Sequence, residues 1–218
     1  MRFEVGGKSI DAYLAIPDGG GGRGVLILHA WWGLTGFFKS LGDRLANDGF
    51  VALAPDLYHG KTASTADRAK QLGSKLKSDI VARELLGAVA YLRSHSGVVG
   101  ERIGVVGFSM GGYYALGLAL QRPDDIAAAV VFYGMRTLDY RKTRAAFLGH
   151  FAEDDRWAPS EKVRKLEERI RTAGREVNFY TYPGTKHWFF EEDRPDAYDA
   201  NASRLAWDRT VDFLRSKL

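Results

Sequence analysis

Short, uninterrupted apolar runs recur along the chain: Val25 to Leu28, Val51 to Ala54, Ile103 to Val106, Ala127 to Phe132, Ala146 to Gly149 and Val177 to Tyr182. Continuous rather than alternating apolarity predicts strands buried on both faces, as in a parallel sheet. Between the runs lie stripes with helical period. Val81, Leu85, Val89 and Leu92 form one; Val163, Leu166 and Ile170 another; Trp207, Val211, Leu214 and Leu218 close the chain with a third. Each predicts a helix with one apolar side that needs a sheet face to cover. Strands alternating with helices imply right-handed crossovers and a doubly wound, mostly parallel α/β sheet with helices on both faces. Ahead of this pattern, Phe3 to Val5 and Ser9 to Ile16 read as an antiparallel hairpin turning at Gly6-Gly7. No internal repeat or linker interrupts the pattern, so residues 1–218 are expected to form one domain.

Composition narrows the classes without choosing among enzymes. With 45% hydrophobic and 27% charged residues the chain reads as an ordinary globular protein. Its formal charge of +4 is scattered, as in KVRKLEERIRTAGRE, which predicts a solvated helix face and no nucleic-acid partner. Cysteine is absent, which excludes disulfides, thiolate metal sites and thiol catalysis. The N-terminus lacks the pattern of a signal peptide, and no apolar run approaches the roughly 18 residues of a spanning helix. A cytoplasmic location without membrane association is the expectation.

One segment changes the picture. In GVVGFSMGGYYALGLAL, Gly104 to Leu120, an apolar run stops at Gly107, sets Ser109 between glycines and passes into helix-forming sequence. Gly107-Phe108-Ser109-Met110-Gly111 fits G-x-S-x-G, whose structural context is a strained strand-to-helix turn presenting a serine. The helix that follows, apolar all round, is expected at the centre of the domain. A serine hydroxyl needs a base, and the base an orienting acid, in the chain order Ser, Asp or Glu, His for this fold class. Of the histidines beyond Ser109, His187 lies in the loop after the last strand, whereas His150 follows directly on AFLG and reads as structural. Between them HFAEDDRWAP offers Glu153, Asp154 and Asp155; Asp155, four residues before Pro159, is the expected acid, with Asp154 as alternative.

An oxyanion needs two N–H donors: the backbone of Met110, after the nucleophile, and that of Trp31, with Trp32 as alternative, in the loop after an earlier strand. His29, at the end of that strand, is expected to hydrogen-bond the same loop. Aromatic residues gather in the segments that follow strands. Trp32, Phe37, Tyr58, Tyr133, Trp157 and Trp188 are therefore expected to line an apolar, partly aromatic pocket.

Taken together, LHAWWGLTGFF, DGFVALAPDLYHG, IGVVGFSMGG, VVFYG, HFAEDDRWAP, YPGTKHWFF and the tail RPDAYDANASRLAWDRTVDFL resemble the dienelactone hydrolase family of α/β-hydrolases over nearly the whole chain. The resemblance implies a compact, cofactor-free hydrolase of lactones or small esters; separately, no metal and a monomer or homodimer are expected. It also implies Asp155 as acid and His187 as base. Well-known members carry a cysteine at the position of Ser109, a glutamate at that of Ala30 and a substrate-holding arginine at that of Glu191. Ser109 and Ala30 together suit serine chemistry, and a charged Glu191 is expected to repel anionic substrates and favour a neutral ester or lactone. A small peptidase or acyl-peptide hydrolase, and a non-catalytic ligand-binding protein of the same fold, are the other readings.

Overall fold

The computed structural model describes all 218 residues. The chain opens with β1 (Arg2–Val5) and β2 (Lys8–Ala15), an antiparallel hairpin in register Val5 to Lys8. Gly6 and Gly7 both take positive φ, 55° and 75°, the conformation that a two-residue turn of matching twist demands. Then follow β3 (Gly22–Leu28), α1 (Gly36–Asn47), β4 (Phe50–Pro55), α2 (Ala66–Gly73) and α3 (Ser78–Ser94). The second half comprises β5 (Val98–Phe108), α4 (Met110–Gln121), β6 (Ile126–Phe132), β7 (Ala146–Asp154), α5 (Ser160–Thr172), β8 (Val177–Lys186) and α6 (Ala200–Lys217).

The eight strands make one sheet in the order β1-β2-β4-β3-β5-β6-β7-β8. Only β1 against β2 and β2 against β4 run antiparallel; the remaining pairs are parallel. All six apolar runs became strands. β3 to β7 are buried on both faces along their runs, while β8 lies at the edge and buries only Val177, Tyr182 and Thr185. Two apolar clusters sandwich the sheet. Leu41 and Leu45 of α1 with Ala206, Val211 and Leu214 of α6 cover one face. The helical stripes of α3, α4 and α5 cover the other, including Val81, Leu85, Val89 and Leu92 and Val163, Leu166 and Ile170.

One expectation needs correction. α4 is buried from Ala115 to Ala119 but not all round, because Tyr113 is 43% exposed, with the Arg136 guanidinium over its ring. A tyrosine can bury its ring edge and keep its hydroxyl wet. In a parallel sheet the carboxyl ends of the strands share one edge, so the loops after β3, β5, β6, β7 and β8 converge there.

Candidate active site

Ser109 stands between the end of β5 and the start of α4 with φ 50° and ψ −109°, backbone angles that side-chain-bearing residues rarely adopt. The surrounding glycines make this turn possible. A Cβ on Gly107 would strike the Gly111 carbonyl, and one on Gly111 would strike the Leu28 carbonyl of β3. The Ser109 amide donates to Phe132 O of β6 at 2.9 Å, which ties the turn to the sheet edge.

His187 follows the last residue of β8 and Asp155 the last of β7. Ser109 Oγ lies 2.9 Å from His187 Nε2, and His187 Nδ1 lies 2.6 Å from Asp155 Oδ2. The other carboxylate oxygen of Asp155 accepts the N–H groups of Trp157 (2.8 Å) and Ala158 (3.0 Å). These bonds fix the carboxylate plane and leave Oδ2 free to face the ring. Both side chains are buried. Glu153 instead accepts from the Gly184 amide, and the exposed Asp154 lines an open cavity; neither is bonded to His187.

The loop after β3 is braced from beneath. His29, fully buried, donates from Nδ1 to Ala30 O (2.6 Å) and accepts at Nε2 from the Leu57 amide (3.2 Å). Burial lowers its proton affinity, in keeping with the neutral ring these two bonds require. The Trp31 amide that follows donates to no protein group, and Met110 opens α4, where an N–H has no partner within its own helix. His150 is equally structural: its ring nitrogens bond Tyr182 Oη (2.8 Å) and Thr210 Oγ1 (3.0 Å), and burial drives its pKa down to about 3.

Beside His187 opens a cavity of about 980 Å³. Trp32, Trp157 and Trp188 line it, and Trp31 stacks on Trp188 at 6.0 Å, so all four loop tryptophans form one group. The other three predicted pocket aromatics do not line it. Phe37 packs on Phe38, Phe108 and Phe190; Tyr58 packs against His29 with its hydroxyl towards Met110 Sδ; Tyr133 lies behind the His187 ring. Besides Asp154, the cavity wall holds charges that sequence reasoning passed over, Arg156, Lys186 and Arg194 against Asp193 and Asp196. Arg156 and Lys186 adjoin the predicted acid and base, a signal that could have found them. Arg194 lies seven residues past His187 and comes back only through the fold, its guanidinium 4.0 Å above the Trp32 ring.

Glu191 requires a second correction. Rather than facing substrate as a charge, it is fully buried and absent from the cavity wall. Tyr133 Oη donates to its Oε1 at 2.7 Å, and burial lifts its pKa to about 8, so the carboxyl is mostly neutral at pH 7. The repulsion of anionic substrates expected from its sequence position therefore lapses.

The model of the "Dienelactone hydrolase family" matches residues 10–218. "Protein usf" of Aquifex pyrophilus is 33% identical over 100% of this chain and 98% of its own length. The "Probable 2-oxo-3-(5-oxofuran-2-ylidene)propanoate lactonase" of Bradyrhizobium sp is 31% identical over 96% of this chain and 90% of its own. Among solved structures, the dienelactone hydrolase-like promiscuous phosphotriesterase P91, from metagenomic libraries, superposes with a TM-score of 0.88. It is 21% identical, covering 99% of this chain and 96% of that one, a likeness of fold.

Proposed function

The chain belongs to the dienelactone hydrolase family and is a carboxylester or lactone hydrolase, and from that premise we propose that it works through a Ser109-His187-Asp155 triad and an acyl-enzyme, carried by a single domain. The observation that carries the reading is the unbroken chain of contacts from Ser109 Oγ through His187 to Asp155, at 2.9 and 2.6 Å. Nucleophile, base and orienting acid are thus already within hydrogen-bond reach.

In this mechanism Ser109 Oγ attacks the carbonyl carbon as His187 Nε2 takes its proton. Asp155 accepts from Nδ1 and stabilises the imidazolium that forms. The amides of Met110 and Trp31 donate to the developing oxyanion. When the tetrahedral intermediate collapses, the C–O bond to the alcohol breaks and His187 returns the proton to the departing alkoxide. In a lactone that alcohol stays tethered to the acyl group. Water, deprotonated by His187, then attacks the ester to Ser109 and releases the acid, restoring the serine hydroxyl.

The cavity suits a modest-sized ester or lactone with an apolar, partly aromatic acyl or alcohol part set among Trp32, Trp157 and Trp188. Its balanced cations and acids give no ground for excluding an anionic substrate. The test is a panel of p-nitrophenyl esters and small lactones run on wild type beside Ser109→Ala, with fluorophosphonate labelling mapped by mass spectrometry. Loss of turnover by at least about a thousandfold, with the label on Ser109, is expected. Turnover retained in Ser109→Ala, or a label elsewhere, refutes the mechanism.

A further inference from the structure

Strained backbone converges on His187. Four residues other than glycine have left-handed φ, and three of them are at the site: Ser109, Tyr133 (43°) and Trp188 (70°). The rings of Tyr133 and Trp188 lie 4.7 and 4.9 Å from the imidazole, centre to centre, and Trp157 adds a third wall at 4.8 Å. Bulky residues held in this conformation are strained and persist only where the surroundings fix them. For Tyr133 the fixing bonds are its amide to His150 O (2.7 Å) and its hydroxyl to Glu191 Oε1 (2.7 Å).

Glu191 is an unfavourable residue to bury for stability alone. It is 0% exposed and its Oε2 has no hydrogen-bond partner, so an apolar side chain of similar volume would avoid an unsatisfied polar atom. Neither Glu191 nor Tyr133 lines the cavity, which leaves substrate contact unable to account for either. What the Tyr133 ring does touch is the base.

We propose that Glu191 is a positioning residue acting through Tyr133: its carboxyl holds the Tyr133 hydroxyl, and the ring so fixed keeps the His187 imidazole aimed at Ser109 Oγ. The proposal rests on the triad reading above. Asp155 anchors His187 at Nδ1 only, so the ring can still tilt about that bond and swing Nε2 away from the serine. Tyr133 blocks that tilt on one side while Trp157 and Trp188 bound the ring elsewhere. The charged groups acting on the pair are Asp193 and Arg194 at Glu191, and Asp155 and Asp193 at Tyr133. Because the buried carboxyl is mostly neutral at pH 7, the clamp adds little net charge beside the imidazole.

Steady-state kinetics on one p-nitrophenyl ester test it, with Tyr133→Phe, Glu191→Leu, Glu191→Gln and the Tyr133→Phe/Glu191→Leu double variant, each checked for native near-UV circular dichroism. Tyr133→Phe and Glu191→Leu are expected to lower kcat roughly tenfold with KM within about twofold, the signature of misaimed chemistry rather than lost binding. Glu191→Gln, which still accepts from the tyrosine, should recover most of the loss. The double variant should be no worse than either single one, since both break the same link. A wild-type kcat in Tyr133→Phe, a loss confined to KM, or losses that multiply in the double variant would each overturn the proposal. Should Glu191→Leu fail to fold, Tyr133→Phe, which keeps the ring, decides alone. A Ser109→Ala protein that still turned over would sink the triad reading itself; a dead Ser109→Ala beside a fully active Tyr133→Phe sinks only this one.

Discussion

Replacing Glu191 by Gln should make the protein progressively more resistant to unfolding, relative to wild type, as pH rises. In the folded state burial lifts this carboxyl from 4.5 to about 8, the desolvation outweighing the opposing hydrogen bond from Tyr133. The unfolded chain gives up the proton near 4.5, so between the two values the folded state holds a proton that the unfolded state has lost. The sign follows directly: this residue's contribution to stability is fully present below about 4.5 and is lost as pH rises towards 8. At about 1.4 kcal/mol per pH unit, the part falling between pH 5.5 and 8 is about 3 kcal/mol. The glutamine side chain cannot ionise and avoids that loss, while its NH₂ group adds a buried donor costing about 1–3 kcal/mol at every pH. The variant can thus start below wild type at pH 5.5, yet its Tm relative to wild type should climb by about 6–12 °C by pH 8 and level off above it. Thermal unfolding followed by far-UV circular dichroism at pH 5.5, 6.5, 7.5 and 8.5 measures this, and the remaining ionisable groups cancel in the difference. A Tm difference that is flat across the series, or that moves in favour of wild type as pH rises, refutes the account of Glu191 as a buried neutral acid.

Two further outcomes follow from the site. Asp155→Asn preserves the shape but cannot stabilise the imidazolium, so kcat on a p-nitrophenyl ester should fall by about 10³–10⁴ while Tm changes little; a drop of less than tenfold would remove Asp155 from the triad. Thr210→Val deletes the partner of His150 Nε2, a fully buried ring nitrogen, and should cost about 1–3 kcal/mol in urea unfolding with kcat unchanged. A loss of activity without loss of stability would mean that His150 takes part in the chemistry.

The sequence by itself determined the parts whose environment is encoded locally. The six apolar runs read as strands because a strand covered on both faces has no polar positions to alternate with. The placing of Ser109 was legible because close passage of α4 past β5 and β3 admits only hydrogen at Gly107 and Gly111, which leaves a pattern in the chain. Asp155 and His187 could be named as candidates because the chain order Ser, Asp, His leaves few choices in the loops after the last two strand runs, and parallel strands deliver their carboxyl ends to one edge. What the tertiary structure alone decided is how polar and aromatic loop residues divide between core, cavity and clamp. Glu191 and Glu192 are neighbours in an acidic stretch, yet the first is fully buried against Tyr133 and the second is exposed. Phe37, Tyr58 and Tyr133 look no different in sequence from Trp32 and Trp157, but the former pack inward and the latter wall the cavity. Burial is a property of what arrives from elsewhere in the chain, and with it come the neutral carboxyl, the return of Arg194 to Trp32 and the rings that hold His187 in line.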